Sequence, residues 1–208
     1  MPLVSASGDP PPEEAVLLAV EALARGDIIG VPTDTVYGLA AGPFRTGAAD
    51  RLFLIKGRPR SVELPVLVAD VGQALALCTS VPRSARALMD KYWPGPLTLV
   101  LPRRPDLEAD LGEDDATIGI RCPGHPVPLA ICARAGPIAA TSANRHGEPP
   151  ATTAGELVAA LGAEVVLVLD AGVCNGLPST VVDCTGEAPR VLREGRITRD
   201  RVMAAASY

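Results

Sequence analysis

Ile55-Lys56-Gly57-Arg58-Pro59-Arg60 sets three cations within five residues. An apolar helical pattern precedes it, with Ala48, Leu52, Phe53 and Ile55 on one face of Gly47 to Ile55. An apolar run, Leu64-Pro65-Val66-Leu67-Val68, follows it. A charged helix face would spread its cations at the helical period. Here they are compressed into a turn shaped by Gly57 and Pro59, which predicts a helix, a basic turn and a strand in succession. Such a turn presents several positive charges to one polyanion. A solvated charged loop is the plainer alternative.

Outward from this unit, strands and helices alternate. Glu13 to Arg25 reads as a helix stopped by Gly26, and Asp27 to Pro32 as a buried strand. Downstream, strands are predicted over Leu64–Ala69, Leu97–Leu101, Thr117–Arg121, Pro137–Ala140, Val165–Leu169, from Ser179 to Asp183 and over Pro189–Arg193. Helices are predicted over Asp70–Cys78, Pro82–Tyr92, Val127–Ala135, from Thr152 or Thr153 to Leu161, and over Thr198–Ala205. Asp70 is a candidate helix cap, and Trp93-Pro94-Gly95-Pro96 reads as a rigid turn. Asp106 to Asp115, with six acids in ten residues, reads as an exposed loop. The alternation predicts an α/β fold.

The 208 residues, with no internal repeat and no linker, predict one domain over 1–208, with 1–12 a loose N-terminal tail. Hydrophobic residues make up 48% and aromatics only 3%, so the core is expected to consist of Ala, Val, Leu and Ile. A formal net charge of −5 argues against a surface that grips nucleic acid throughout. Five cysteines without a CxxC suggest reduced thiols in the cytoplasm. No run of about 18 apolar residues predicts a membrane span.

Common nucleotide signatures are absent: no GxxxxGK[ST], and no GxGxxG after a strand. A GxSxG elbow is missing as well. His125 and His146 lack metal-ligand spacing. What remains is polar chemistry at strand ends: Thr33 and Thr35, Lys56 and Arg58, Thr117 and Arg121, Ser142 and Asn144, Ser179 and Thr180, and Arg193. Each group alone reads equally as a satisfied turn. Together they supply cations and hydroxyls without an evident general base. That set suits binding anions and positioning them for phosphoryl or nucleotidyl transfer.

Six motifs stand in one order: Pro32-Thr-Asp-Thr-Val-Tyr-Gly-Leu39, Lys56-Gly-Arg-Pro59, Trp93-Pro-Gly-Pro-Leu-Thr98, Ile120-Arg-Cys-Pro123 with His125-Pro126, Thr141-Ser-Ala-Asn144, and Ser179-Thr-Val-Val-Asp183. From about residue 13 to 200 the chain resembles the YrdC/TsaC family, the L-threonylcarbamoyladenylate synthases. The resemblance implies an open twisted mixed sheet flanked by helices, with a deep, positively charged concave cleft. It implies formation of threonylcarbamoyl-AMP and diphosphate from L-threonine, bicarbonate and ATP. The product would feed N6-threonylcarbamoyladenosine modification of tRNA, through tRNA itself or the downstream threonylcarbamoyl-transfer complex. A non-catalytic RNA-binding or ribosome-associated relative is the alternative.

By the same matching, Lys56 and Arg58 would be catalytic. They would line the ATP site with Thr117, Ser142, Asn144 and Arg193, and Mg2+ would accompany ATP. L-Threonine would lie against Thr33, Thr35, Arg121 and Ser179. The sequence departs from the family's pattern at Ser61-Val62-Glu63, at Leu67 and at Ala171. Its length predicts the single-domain form, without the second domain of longer archaeal and eukaryotic relatives.

Overall fold

A computed structural model describes residues 2–145 and 147–207; His146 lies outside them. The strands are β1 (Leu3–Ser5), β2 (Ile29–Val31), β3 (Gly38–Ala41), β4 (Val66–Leu67), β5 (Leu97–Pro102), β6 (Thr117–Arg121), β7 (Ile138–Ser142), β8 (Leu167–Asp170), β9 (Thr180–Asp183) and β10 (Arg190–Arg193). The helices are α1 (Glu13–Ala24), α2 (Ala48–Lys56), α3 (Val71–Ala76), α4 (Arg83–Tyr92), α5 (Pro126–Ala135), α6 (Ala154–Leu161) and α7 (Arg199–Ala206). The strands form one mixed sheet in the order β1-β8-β2-β3-β7-β4-β6-β5-β9-β10. Pairs β1/β8, β2/β8, β4/β6 and β5/β9 are parallel, and the other neighbours are antiparallel.

The two faces of the sheet are covered unequally, and this creates the cleft. One face carries a large core of Ile118, Ile120, Leu97, Leu99, Val66, Val68 and Val182, packed against Leu52 of α2, Ala74 of α3, Leu88 of α4, Leu157 of α6 and Val202 of α7. On the opposite face only α1 and α5 bury a core, with Ala15, Ala19, Val127 and Ile131 set on Ile29, Ala40, Ile138 and Leu169. Each fully buried aliphatic side chain stabilises the fold by about 1.5–3 kcal/mol. Beyond α1 and α5 this second face stays open over β4, β6, β5 and β9. The inward residues there are Thr117, Gly119 and Arg121 of β6, Thr98 and Val100 of β5, and Val181 of β9. Strand alternation delivers both sets, since Ile118 and Ile120 point to the core and Thr117, Gly119 and Arg121 to the cleft.

Several elements differ from the sequence reading. The expected loose tail over 1–12 is not loose at Leu3–Ala6: Leu3–Ser5 pairs in parallel with Val168–Asp170, and Ala6 is buried. Backbone hydrogen bonding to an available sheet edge orders a segment whose own apolar signal is only the short pair Leu3-Val4. The strand expected over 64–69 narrows to Val66–Leu67 and that over 27–32 to Ile29–Val31, whereas β7 runs on to include Ser142. The acidic loop is not simply exposed. Ala109 and Leu111 are buried, and the buried Arg103 guanidinium donates to the carbonyls of Leu107 (2.7 Å) and Ala109 (2.5 Å). Thr153 rather than Thr152 caps α6, in a reciprocal capping box with Glu156. Asp70 caps α3 as expected. None of the helices among the described residues is long and apolar enough to cross a membrane.

Candidate active site

The basic turn is built by a helix ending. Gly57 adopts φ +59° as the left-handed residue after α2. Gly57 N donates to Leu54 O, and Arg58 N to Phe53 O at 3.1 Å. This is a Schellman ending, which favours glycine at that position. It sends the three cations to three places.

Lys56 turns inward and is 4% exposed. Its Nζ donates to Asn144 O (2.6 Å), Asn144 Oδ1 (2.7 Å) and Ser142 O (2.8 Å), with Ser142 Oγ at 3.4 Å. An ammonium has three N–H groups, so these contacts commit all of them. Burial and the Arg58 charge push its pKa down to about 8, with Glu148 opposing. Asn144 is equally committed. Its Oδ1 also accepts from Ser142 Oγ at 2.6 Å, and its Nδ2 donates to Arg145 O (2.9 Å) and Glu148 O (2.6 Å). Arg60 is bound between Asp50 and Asp110, with its guanidinium 4.8 Å from the Phe53 ring centroid.

Arg58 alone of the three reaches the cleft, a cavity of about 610 Å³. Its Nη1 donates to Thr141 Oγ1 (3.3 Å) and Nη2 to Glu63 O (3.0 Å), and Nε is buried without a partner. Three of its five N–H groups are thus uncommitted among the described residues. Burial and the nearby Arg193 charge lower its pKa, and Glu63 opposes them.

Arg121 marks the other end. Its Nε donates to Gly95 O (3.0 Å), Nη1 to Thr35 Oγ1 (3.0 Å) and Nη2 to Asp34 Oδ1 (2.6 Å). Three N–H groups are committed and two remain, the number a carboxylate takes in a bidentate pair. Burial lowers its pKa and Asp34 opposes the shift. Thr33 serves the local turn, donating to Val36 O at 2.6 Å and accepting from the amides of residues 35 and 36. Ser179 Oγ lies 3.0 Å from Thr98 Oγ1, and Arg193 holds Ser179 through O (2.9 Å) and Oγ (3.1 Å). Thr180 is fully buried and ties Ile197 O at 2.6 Å, away from the cleft. Thr117 is on the wall, donating to Asp114 Oδ2 at 2.6 Å.

Of the ten candidate residues, Thr33, Thr35, Arg58, Thr117, Arg121, Ser142, Ser179 and Arg193 line one cavity. Lys56 and Asn144 stand behind its wall. Sequence reasoning placed Asp34, Tyr37 and Thr141 inside pocket-edge motifs without giving them a role, and did not single out Thr98 for the cleft. Tyr37 lines the cleft, donates to Gly172 O at 2.8 Å and has its pKa pushed up, chiefly by burial. Two departures from the family pattern, Glu63 and Leu67, also line it. Glu63 Oε1 accepts the amides of Glu113 and Asp114 (both 2.9 Å), and burial raises its pKa. Thr117 and Arg121 are four residues apart on β6, so their Cα atoms are about 13 Å apart along the strand.

A family model named Sua5/YciO/YrdC, described as "Telomere recombination", matches residues 21–195. The chain belongs to this family. A Mycobacterium tuberculosis member, provisionally named threonylcarbamoyl-AMP synthase, is 40% identical over 188 residues, covering 90% of this chain and 87% of its own length. The threonylcarbamoyl-AMP synthase of Bacillus subtilis is 38% identical over 189 residues, covering 89% of this chain and 55% of its own length. The crystal structure of P. abyssi Sua5 complexed with L-threonine superposes with a TM-score of 0.89 at 30% identity, covering 99% of this chain and 61% of that one. The chain therefore spans little more than half of those two longer members and most of the first. The open mixed sheet flanked by helices is the Sua5/YrdC architecture.

Proposed function

We propose that the chain is an L-threonylcarbamoyladenylate synthase, a nucleotidyltransferase. The observation that carries the reading is a single trough with two differently equipped ends. Arg121 keeps two N–H groups beside Thr35 at one end, and Arg58 keeps three beside Thr141 at the other. Thr117, on the nucleotide side of the wall, stands about 13 Å from Arg121 along β6, a span that suits an amino acid joined to a nucleotide. The synthase names of the relatives and the threonine-bound Sua5 support the same reading.

L-Threonine lies with its carboxylate on Arg121 and with Thr35 and Ser179 close by. Its ammonium and bicarbonate give a carbamate, water and a proton. A carbamate oxygen attacks the α-phosphorus of ATP, a P–O bond forms, the bond to the diphosphate breaks and diphosphate departs. Arg58 and Arg193 offset the phosphate charge, and Thr117 and Ser142 hold the nucleotide. Lys56 and Asn144 act from behind the wall by fixing the Ser142 turn. Catalysis then rests on positioning and on charge already in place.

Mg2+ is proposed as the counter-ion of the triphosphate. No group of three His, Cys, Asp or Glu side chains among the described residues could hold a metal. The ion would therefore be bound by phosphate oxygens and water, a common arrangement for this hard cation. The product would serve N6-threonylcarbamoyladenosine formation on tRNA through a separate transfer complex, in the cytoplasm. Free cysteines at positions 78, 122, 132, 174 and 184 suit that reducing compartment. The test is diphosphate release from ATP by the purified chain. Release that needs both L-threonine and bicarbonate is expected, and release indifferent to either one overturns the proposal.

A further inference from the structure

Asp34 joins four segments at the amino-acid end of the cleft. Its Oδ1 accepts from Arg121 Nη2 (2.6 Å) and from Gly124 N (3.0 Å). Its carbonyl accepts from Asn175 Nδ2 and Arg196 Nη1, each at 3.0 Å. The next residue repeats the pattern: Thr35 Oγ1 accepts from Arg121 Nη1 (3.0 Å), and Thr35 O from Gly176 N (2.8 Å). The Asp34 and Arg121 side chains are 11% and 8% exposed, so the pair is only weakly screened by solvent. Asp34 Oδ2 has no hydrogen-bond donor among the described residues. A Cβ built on Gly124 would stand 3.4 Å from it, an ordinary contact.

Arg121 alone would suit any carboxylate, and Arg193 adds positive charge close enough to oppose the charge of Arg121. Asp34 is the one carboxylate paired with that arginine among the described residues. We propose that Asp34 is a specificity-determining residue, whose charge makes the amino-acid end of the cleft favour a ligand with an α-ammonium beside its carboxylate. The proposal rests on the synthase reading of the cleft. Asp34 need not touch the ligand. It acts by positioning Arg121 and by placing a fixed negative charge behind it. For two ligands with the same carboxylate, one with the ammonium and one without, the interaction of Asp34 with the carboxylate cancels. The ratio of their affinities then reports the ammonium alone. At an effective dielectric near 20, unit charges as much as about 10 Å apart still give a ratio on the order of tenfold.

The experiment is calorimetric titration of the full chain with L-threonine and with 3-hydroxybutyrate, its analogue without the amine. The wild type is expected to bind L-threonine at least about tenfold more tightly. Asp34→Asn keeps the shape of the side chain and removes its charge, and is expected to cut that preference about tenfold, with 3-hydroxybutyrate losing least. A merely structural role would weaken both ligands alike, and an unchanged ratio in a folded Asp34→Asn variant overturns the proposal. Should circular dichroism show that this variant does not fold, Asp34→Ser replaces it and is read in the same way, and equal wild-type affinities for the two ligands also overturn the proposal. A folded wild type that binds ATP but neither of these ligands overturns the synthase reading, and this inference with it.

Discussion

Lys56→Met separates two accounts of the basic turn. Methionine keeps the unbranched stem and removes three donors. In the folded chain those donors serve Asn144 O, Asn144 Oδ1 and Ser142 O at 2.6–2.8 Å. Ser142 O retains a second donor in Asn144 N (3.0 Å), and Asn144 Oδ1 retains Ser142 Oγ. Asn144 O is left without a donor among the described residues, which costs about 1–3 kcal/mol, and the two remaining charge-assisted bonds add to the loss. Release of the amine from its desolvated site offsets part of it. A net destabilisation of about 3 kcal/mol follows, which for a chain of this size lowers the melting temperature by about 6–12 °C. Scanning calorimetry at pH 7, with urea unfolding as a second measure, reads the effect directly. A surface cation that only touched ligand would contribute little to stability. A Lys56→Met variant that melts within about 2 °C of the wild type while its turnover collapses would refute the reasoning and restore Lys56 as a direct phosphate ligand.

Three further outcomes are expected. Arg58→Lys keeps the charge but loses the fork and is expected to lower kcat/KM for ATP by about 10–100-fold with little change in melting temperature. Gly112→Ala is expected to destabilise by about 1–3 kcal/mol in thermal melts, because Gly112 sits at φ +145° and a Cβ would meet both Glu63 carboxyl oxygens at 2.4 Å. His125 Nδ1 caps α5 by accepting from Val127 N at 3.2 Å, and burial lowers the pKa of the imidazole below 6.5. The unfolded chain then takes up the proton first, so this stability is present above about pH 6.5 and is lost as pH falls through the lowered value. His125→Asn, which can still cap, is expected to flatten the loss of stability between pH 7 and pH 5 in urea titrations.

The helix, basic turn and strand around Lys56 were legible because a left-handed glycine ending and an apolar period are local signals. Six motifs in one order also identified the fold and eight residues of the cleft wall. What stayed hidden depends on contacts distant in sequence. Asp34 is visible as the lone carboxylate between two threonines, but its meaning comes from Arg121, 87 positions away. Lys56 reads in the sequence as a cation for a polyanion, and only the fold shows its donors taken up by Ser142 and Asn144. Thr98 needed the parallel pairing of β5 with β9, which sets it beside Ser179. The partial burial of the acidic loop did have a signal. Leu107-Glu108-Ala109-Asp110-Leu111 alternates apolar and charged residues, and the two buried members, Ala109 and Leu111, are on its apolar set. The β1 strand had no such signal, because a three-residue edge strand is chosen by its neighbour β8.

The central claim is that one trough joins an amino acid to a nucleotide through a carbon taken from bicarbonate. Its most direct test is mass spectrometry of the product formed from ATP, L-threonine and 13C-labelled bicarbonate. The account predicts threonylcarbamoyl-AMP carrying the label, formed only when all three substrates are present. A folded chain that binds ATP and L-threonine yet yields no labelled adduct would contradict it.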